Sequence, residues 1–524
     1  MLVNAAIVQF LEHRNIKYIF HLPGIHTLPL NSALFRSKIT VLMGRHEATT
    51  AFMADGFARV TGEAAVLLVT PGPGLGNVVT ACMEAHGDDV PLVILFVDVD
   101  RKNVAKGILP GVREPEALFT NITKGIFVIS GERDLLFTLE AAFRTAVSPR
   151  QGPVLVSIPY RLLEREVPLA GHECGGPGKE TPFDPEPLER ALKGTERPVI
   201  IAGGGLKGYA LGDILDTMCR ESAIPFLTST GGKGVVREDN GYVLGNVMAK
   251  GIAREVLRAS DVTIALGTRL RDVDTKRRGV KLGRLVHIDV DDRWIERNYP
   301  ADLAVAGRMG DAVEGLSHIM KGKRSSWDME RLKGSRQREE ALLEKNPGFQ
   351  VAMHLRRSIP DETVTVWDLN LISYWAEYYF PAYYPRSFLS PRGISPIFYG
   401  FSAALGAKLG KPGNPCLCIT GDGSFSAVAG ELATARAYDI PAVVLVYNNG
   451  AFGVLEDYMK KRYAIEGTME LHDPDFPGLA QAFGIKSKRA ESLEDLDDIF
   501  RHDVSWDEPY LVEFRHPTFP PPWA

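Results

Sequence analysis

Apolar residues along this chain follow two spacings. Short runs of β-branched and aliphatic residues, such as AVLLV at 65–69 and VVLVY at 443–447, are separated by longer stretches in which apolar positions recur every three or four residues. The first spacing predicts buried strands and the second amphipathic helices, and their alternation predicts α/β units built on parallel sheets. Up to about residue 160, strands are expected at 18–20, 41–43, 65–69, 92–96 and 154–158. Residues 169–187 are rich in Gly, Pro and charge, which marks an exposed connection. A second unit carries expected strands at 199–202, 224–227, 262–266 and 285–290, and the charged helical stretch 321–345 leads out of it over the surface. A third unit carries expected strands at 363–367, 416–420, 443–447 and 510–514. The pattern therefore divides into three α/β domains, 1–168, 185–320 and 346–524. The first and third share length and rhythm without a residue-level repeat. The tail HPTFPPPWA lacks the backbone donors that a helix or central strand needs, so it is expected to lie across a neighbour or a cleft.

Composition narrows the function classes. The 524 residues carry a net charge of −5 with Lys and Arg scattered, which argues against nucleic acid and anionic membranes as partners. No apolar run approaches the roughly 20 residues of a membrane span. The N-terminal segment carries charges and no cleavage site, and reads as an amphipathic helix, not a signal peptide. Five cysteines, Cys82, Cys174, Cys219, Cys416 and Cys418, form no CxxC pair, so neither a disulfide framework nor a zinc site is expected, and a reducing cytoplasm is the expected location. A small-molecule enzyme fits this balance.

The richest chemistry lies in GDGSFSAVAGELATARAYDIPAVVLVYNNGAFG, residues 421–453. Asp422 follows one apolar strand and Asn449 the next, with a helical stretch at 429–438 between them. Such a β-α-β crossover brings both loops to the same edge of a parallel sheet. A hard divalent cation takes oxygen ligands in octahedral geometry. The Asp422 carboxylate, the Asn449 side-chain carbonyl and a backbone carbonyl just beyond, at Ala451, would supply three, with diphosphate oxygens and water completing the set. The glycines let backbone N–H groups approach phosphates. The plain alternative is two turns with no ligand.

GDG followed 27 residues on by NN resembles the signature of thiamine-diphosphate enzymes. Over essentially its whole length the chain resembles the acetolactate synthase, pyruvate oxidase and benzoylformate decarboxylase superfamily. The resemblance implies three Rossmann-like or flavodoxin-like domains, pyrimidine-binding, central and diphosphate-binding. It also implies thiamine diphosphate and Mg²⁺ held between the first domain of one subunit and the third of another. A homodimer is then the minimum unit and a homotetramer the expected one. By the same resemblance Gly421, Gly423, Ser424, Phe452 and Gly453 contact the cofactor beside the metal ligands Asp422, Asn449 and Ala451. GRHEATTAFMADGFARVTG matches the family's RHE…A.GYAR segment and implies that Glu47 binds the aminopyrimidine and favours its imino tautomer. A helix-initial Glu favoured by the helix dipole is the bland alternative, and His46 beside it reads as structural. TPGPGLGNVVTA resembles a cofactor loop and implies Pro73, Gly74 and Asn77. SPRGISPIFYGFSAALGAKLG implies Ile397 as the wedge that bends the cofactor and the Ser395 carbonyl as an acceptor from the aminopyrimidine. VWDLNLISYWAEYY resembles a diphosphate-holding segment, but Leu371 and Ile372 stand where polar residues are common, leaving Asn370 and Ser373 as donors.

The expected activity is non-oxidative decarboxylation of a 2-oxo acid to an aldehyde through a covalent thiazolium adduct. The alternative is acetolactate synthase-like carboligation of two 2-oxo acids. The histidines and serine of the benzoylformate site appear as Thr70, Asp274 and Ile25, so that site is absent. Tyr458 stands at the place of a tryptophan that shapes acceptor choice in acetolactate synthases, which favours decarboxylation. His26 and Lys124 are candidate catalytic residues, with Arg392, Val454 and Leu455 as further candidates to line the substrate pocket. RPVIIAGGGLKG lacks the GxGxxG order and LGTRLRDVD echoes a flavin-contacting region, so FAD is allowed but not favoured. A flavin- or nucleotide-dependent oxidoreductase and a non-catalytic homologue stay open as other classes.

Overall fold

The computed structural model describes residues 1–167, 181–275, 279–467 and 469–523. Most of the connection expected at 169–187, and Cys174 within it, lie outside the described residues. The other four cysteines are free and buried.

Three six-stranded sheets, every pairing parallel, confirm the α/β reading. In spatial order the first sheet runs Thr40–Met43, Tyr18–His21, Ala65–Val69, Leu92–Asp98, Val154–Pro159 and Gly125–Val128. The third runs Phe388–Leu389, Val364–Trp367, Cys416–Gly421, Val443–Asn448, Tyr510–Arg515 and Lys486–Ala490. Counted within each unit, both follow the order 2-1-3-4-6-5, a shared wiring that residue identities hide. The central sheet, Leu303–Ala306, Arg284–Asp289, Val262–Leu266, Pro198–Ala202, Phe226–Thr228 and Val243–Asn246, follows the doubly wound order 3-2-1-4-5-6 read from its other edge. Among the described residues no helix is long and apolar enough to cross a membrane.

The first and third domains share one core. A continuous apolar cluster runs from Phe20 and Leu67 through Phe52 to Tyr399, Phe401 and Leu511. Its centre is the face-to-face packing of helix Glu47–Thr61 on helix Gly400–Gly410, made close by Ala51, Ala54, Ala403, Ala404 and Ala407. Phe52 meets the Tyr399 ring edge-on with centroids 5.4 Å apart.

A charge knot closes this seam. The Arg59 guanidinium donates to Asp55 at 2.5 Å, Glu84 at 2.9 Å and Asp88 at 2.5 Å, and Tyr399 Oη donates to Asp55 at 3.1 Å. Removing the cation leaves the buried Asp55 with Tyr399 as its partner and takes one donor each from Glu84 and Asp88, the latter keeping Arg271 at 3.2 Å. Arg59→Met is therefore expected to destabilise the fold by about 3–5 kcal/mol, read as a lowered midpoint in thermal or urea unfolding.

Candidate active site

Asp422 stands at the carboxyl end of strand Cys416–Gly421 and Asn449 just past strand Val443–Asn448, and the two strands pair with Gly421 opposite Tyr447. Their loops therefore meet at one sheet edge. Asp422 Oδ1 accepts from Gly423 N at 2.7 Å, and Oδ2 from Asn449 N at 3.1 Å and Gly450 N at 2.8 Å. Burial pushes the Asp422 carboxyl up, and these loop N–H groups oppose that push. Asn449 donates its Nδ2 to Thr518 Oγ1 at 2.8 Å, which leaves the carbonyl end of the amide for another partner. The Ala451 carbonyl accepts from Gly453 N at 2.8 Å and keeps one lone pair. The tail does lie across this loop, as Thr518 shows, and Tyr447 Oη and Trp375 Nε1 tie it down at the Pro517 and Pro520 carbonyls, both at 2.9 Å.

Sequence reasoning missed Asp473. The segment before it folds back on the loop after strand Val443–Asn448, with Leu471 N donating to Gly450 O at 2.7 Å and Phe452 N to Met469 O at 3.0 Å. Burial, then the neighbouring Asp422 charge and their side-chain contact, push the Asp473 carboxyl up to about 6. Its Oδ2 is buried without a hydrogen-bond partner. Two touching carboxylates, one of them with an orphaned oxygen, an amide carbonyl and a half-used backbone carbonyl make an all-oxygen donor set that fits a hard divalent cation. Gly423 and Phe452 form the wall beside it: a Cβ on Gly423 would stand 2.6 Å from the Phe452 ring.

Several expected ligands are otherwise employed. Asn370 caps helix Leu371–Tyr379, its Oδ1 accepting from Ser373 N at 2.9 Å and its Nδ2 donating to the Asp368 and Ile419 carbonyls at 3.2 Å. No side-chain donor remains for a phosphate, which corrects that expectation. The Ser424 hydroxyl donates to buried Asp368 at 2.6 Å, so only its backbone N–H at the start of helix Asp422–Ser426 is left to face an anion. The Ser373 hydroxyl, by contrast, is buried with no partner.

On the first domain, Glu47 opens helix Glu47–Thr61 at the carboxyl edge of its sheet. Its N-cap is His46, whose Nδ1 accepts from Ala48 N at 3.1 Å, so that histidine is structural. Asn77, ending helix Pro73–Asn77, donates to Glu47 Oε2 at 2.9 Å, and a Cβ on Gly74 would lie 3.8 Å from Oε1. Glu47, Pro73, Gly74 and Asn77 are thus brought together. Among the described residues no hydrogen bond or ion pair joins Glu47 to the third domain.

His26 lies on the loop after strand Tyr18–His21, at the same edge as Glu47, half-buried with its ring 5.6 Å from that of Tyr160. Its neighbour His21 is held neutral, burial lowering it to about 4 while its ring bonds the Leu68 carbonyl at 2.7 Å. Lys124 is not brought to the site. It precedes strand Gly125–Val128 and so sits at the amino edge, opposite Glu47, with Nζ donating to Thr145 O at 2.5 Å and to the Ser148 carbonyl and hydroxyl at 2.9 Å. Burial lowers it to about 8, but its donors are spent. Arg392 likewise bonds Glu377 at 2.8 Å and the Val273 carbonyl at 3.0 Å, a bridge to the central domain.

A separate cavity of about 810 Å³ lies between the domains, and neither Glu47 nor Asp422 lines it. Gly204, Gly205, Thr268 and Arg269 reach it from the two segments singled out for flavin. Arg150, Arg271, Arg386 and Lys207 add positive charge, and burial lowers Lys207 to about 7.

Three parallel sheets, an oxygen-rich loop at the carboxyl edge of one and a paired Glu and Asn at the carboxyl edge of another make up an α/β fold with two polar half-sites. Sequence comparison makes the class specific. Residues 1–117 match the thiamine pyrophosphate enzyme N-terminal TPP binding domain, 187–316 the central domain and 371–514 the C-terminal TPP binding domain. A probable acetolactate synthase large subunit of Methanocaldococcus jannaschii is 31% identical over 97% of the chain and 90% of the relative. A probable 2-ketoarginine decarboxylase of Pseudomonas aeruginosa is 31% identical over 98% of the chain and 93% of the relative. The acetolactate synthase large subunit of Haemophilus influenzae is 26% identical over 93% of the chain and 90% of the relative. The chain belongs to the thiamine pyrophosphate enzyme family and is a thiamine-diphosphate-dependent enzyme.

Proposed function

We propose that this chain, loaded with thiamine diphosphate and Mg²⁺, removes carbon dioxide from a 2-oxo acid and releases an aldehyde. The observation that carries the proposal is the division of the chemistry into two half-sites. Glu47 with Asn77 stands on the edge of the first sheet, and Asp422, Asn449 and Asp473 on that of the third. The bound cofactor supplies the electron sink that decarboxylation needs. Glu47 would hold the proton at the pyrimidine nitrogen, with Asn77 fixing its orientation. Asp422, the Asn449 carbonyl and the Ala451 carbonyl would hold the metal. Backbone N–H groups of the two loops and the Ser373 hydroxyl would face the diphosphate, the Ser395 carbonyl would accept from the exocyclic amine, and Ile397 would press the rings together. His26 remains the candidate acid or base for the substrate.

Exposed apolar side chains accompany both halves, Ile25 at 76% and Leu28 beside His26, Ile397 at 41% and Leu455 near the metal loop. A second copy would cover these faces in a homodimer, the minimum unit of this reading, within a homotetramer working in the cytoplasm. Tyr458, 49% exposed on helix Gly453–Tyr463, is the feature that favours proton capture over carboligation.

The test incubates loaded enzyme with pyruvate, longer 2-oxo acids and 2-ketoarginine, with and without a second carbonyl acceptor, following carbon dioxide and product mass. Aldehyde alone is the expected product. An acetolactate-type product would move the assignment to carboligation, and no turnover on any would overturn both. One observation favours a nucleotide as a further ligand: the central cavity gathers more arginine and lysine than carboxylate. Visible absorbance of the purified protein tests for flavin there.

A further inference from the structure

The loop Gly393–Phe398 joins strand Phe388–Leu389 to helix Gly400–Gly410 and carries both Ser395 and Ile397. Its backbone is strained. Ser395 at φ 56° and Phe398 at φ 60° are non-glycine residues in the left-handed region, a conformation that persists only where surroundings enforce it. Ile397 is 41% exposed, so its position comes from the backbone that bears it, not from packing of its side chain.

Two buried carboxylates enforce that backbone. At the far end, Phe398 N donates to Ser424 Oγ at 2.6 Å, and that hydroxyl donates to Asp368 at 2.6 Å. At the near end, Glu84 of the first domain accepts from Gly393 N at 2.9 Å, Ile394 N at 2.7 Å and Ser395 N at 3.3 Å. Glu84 is 0% exposed on helix Val79–Gly87, and Arg59 holds it from behind at 2.9 Å. The helix and loop backbones touch, because a Cβ on Gly393 would stand 2.2 Å from the Glu84 carbonyl oxygen. A carboxylate receiving three successive backbone donors is a strong and directional clamp.

We propose that Glu84 is a positioning residue for the cofactor: through Gly393, Ile394 and Ser395 it sets where the Ser395 carbonyl and the Ile397 side chain stand. The proposal rests on the placement of thiamine diphosphate against those two residues. Glu84 touches no reacting atom. Its influence is the height and tilt of the loop, and displacement of a positioning group by about 1 Å lowers rates on the order of 100-fold.

Glu84→Gln keeps the shape but replaces one acceptor oxygen by an NH₂ that confronts the loop donors. The readout needs no substrate: deuterium exchange at C2 of thiamine diphosphate bound with Mg²⁺, quenched in acid and followed by NMR, beside calorimetric affinity for the cofactor. Exchange is expected to slow about 10–100-fold, with affinity held within about threefold because the metal-held diphosphate dominates binding. In an Ile397→Ala background the same substitution should slow exchange less than in the wild type, the remainder being what Glu84 exerts through the Ser395 carbonyl, since coupled residues are not additive. Glu84→Asp keeps the charge against Arg59 but shortens the reach, and should fall between wild type and Glu84→Gln. Unchanged exchange in a folded Glu84 variant overturns the proposal, and so does equal slowing with and without Ile397. Failure of both Glu84 variants to fold also overturns it, because a positioning residue must be separable from the fold. A wild-type chain that takes up no thiamine diphosphate would instead overturn the proposed function.

Discussion

Glu47→Gln is expected to lower turnover by about 10²–10⁴-fold, the usual contribution of a positioned acid or base, while the chain still binds thiamine diphosphate. The amide preserves the length of the side chain and its acceptor for Asn77 Nδ2, now at 2.9 Å from Glu47 Oε2. It cannot hold a proton at a ring nitrogen. The loss should therefore appear in kcat and in C2 exchange, with cofactor affinity by calorimetry little changed. A full-rate Glu47→Gln enzyme would show that the first-domain carboxyl takes no part, and a variant that lost the cofactor as well would make Glu47 a binding group only.

Asp422→Ala is expected to abolish the stabilisation that the cofactor and metal give. For a ligand at about 100 times its Kd that stabilisation is about 2.7 kcal/mol. Asp422 accepts three loop N–H groups, so the unliganded variant will itself melt lower. The informative quantity is the shift in melting temperature on adding thiamine diphosphate and Mg²⁺, large in the wild type and absent in the variant. A retained shift would show that the metal is held elsewhere, with Asp473 the first residue to examine.

The parts of the site legible in the sequence were those fixed by local chain geometry. Asp422 and Asn449 each follow a buried apolar strand, and one crossover suffices to bring them to a single edge. Glu47 is placed in the same way by strand Thr40–Met43. Asp473 was illegible because its approach to Asp422 depends on a fold-back held by Leu471 and Met469, with no spacing rule to announce it. Asn370 misled because a helix cap and a phosphate donor use the same short amide, and only the structure shows its two ends spent. Lys124 misled because strand Gly125–Val128 was not among the expected strands, so nothing showed that Lys124 precedes a strand and sits at the amino edge.

The same physics separates the strands. Those in the sheet interiors were legible as apolar runs. Gly125–Val128, Val243–Asn246, Leu303–Ala306, Phe388–Leu389 and Lys486–Ala490 were not, and all five are outermost in their sheets. Gly125–Val128, Leu303–Ala306 and Lys486–Ala490 are covered less fully, and Val243–Asn246 and Phe388–Leu389, though buried, are too short to carry a continuous hydrophobic run. The shared wiring of the first and third domains was hidden for this reason, since each contains edge strands of that kind.

The outermost strand of the third sheet, Lys486–Ala490, has a further consequence for how the molecule behaves in crowded solution. Lys486, Lys488 and Arg489 project from it toward Glu508, Asp503 and Glu513 at 2.6–2.7 Å. A stranger's strand adding to this rim would have to strip water from three cations. Concentrated stocks should accordingly resist fibril growth from this rim, and neutralising the three cations together would open it to growth.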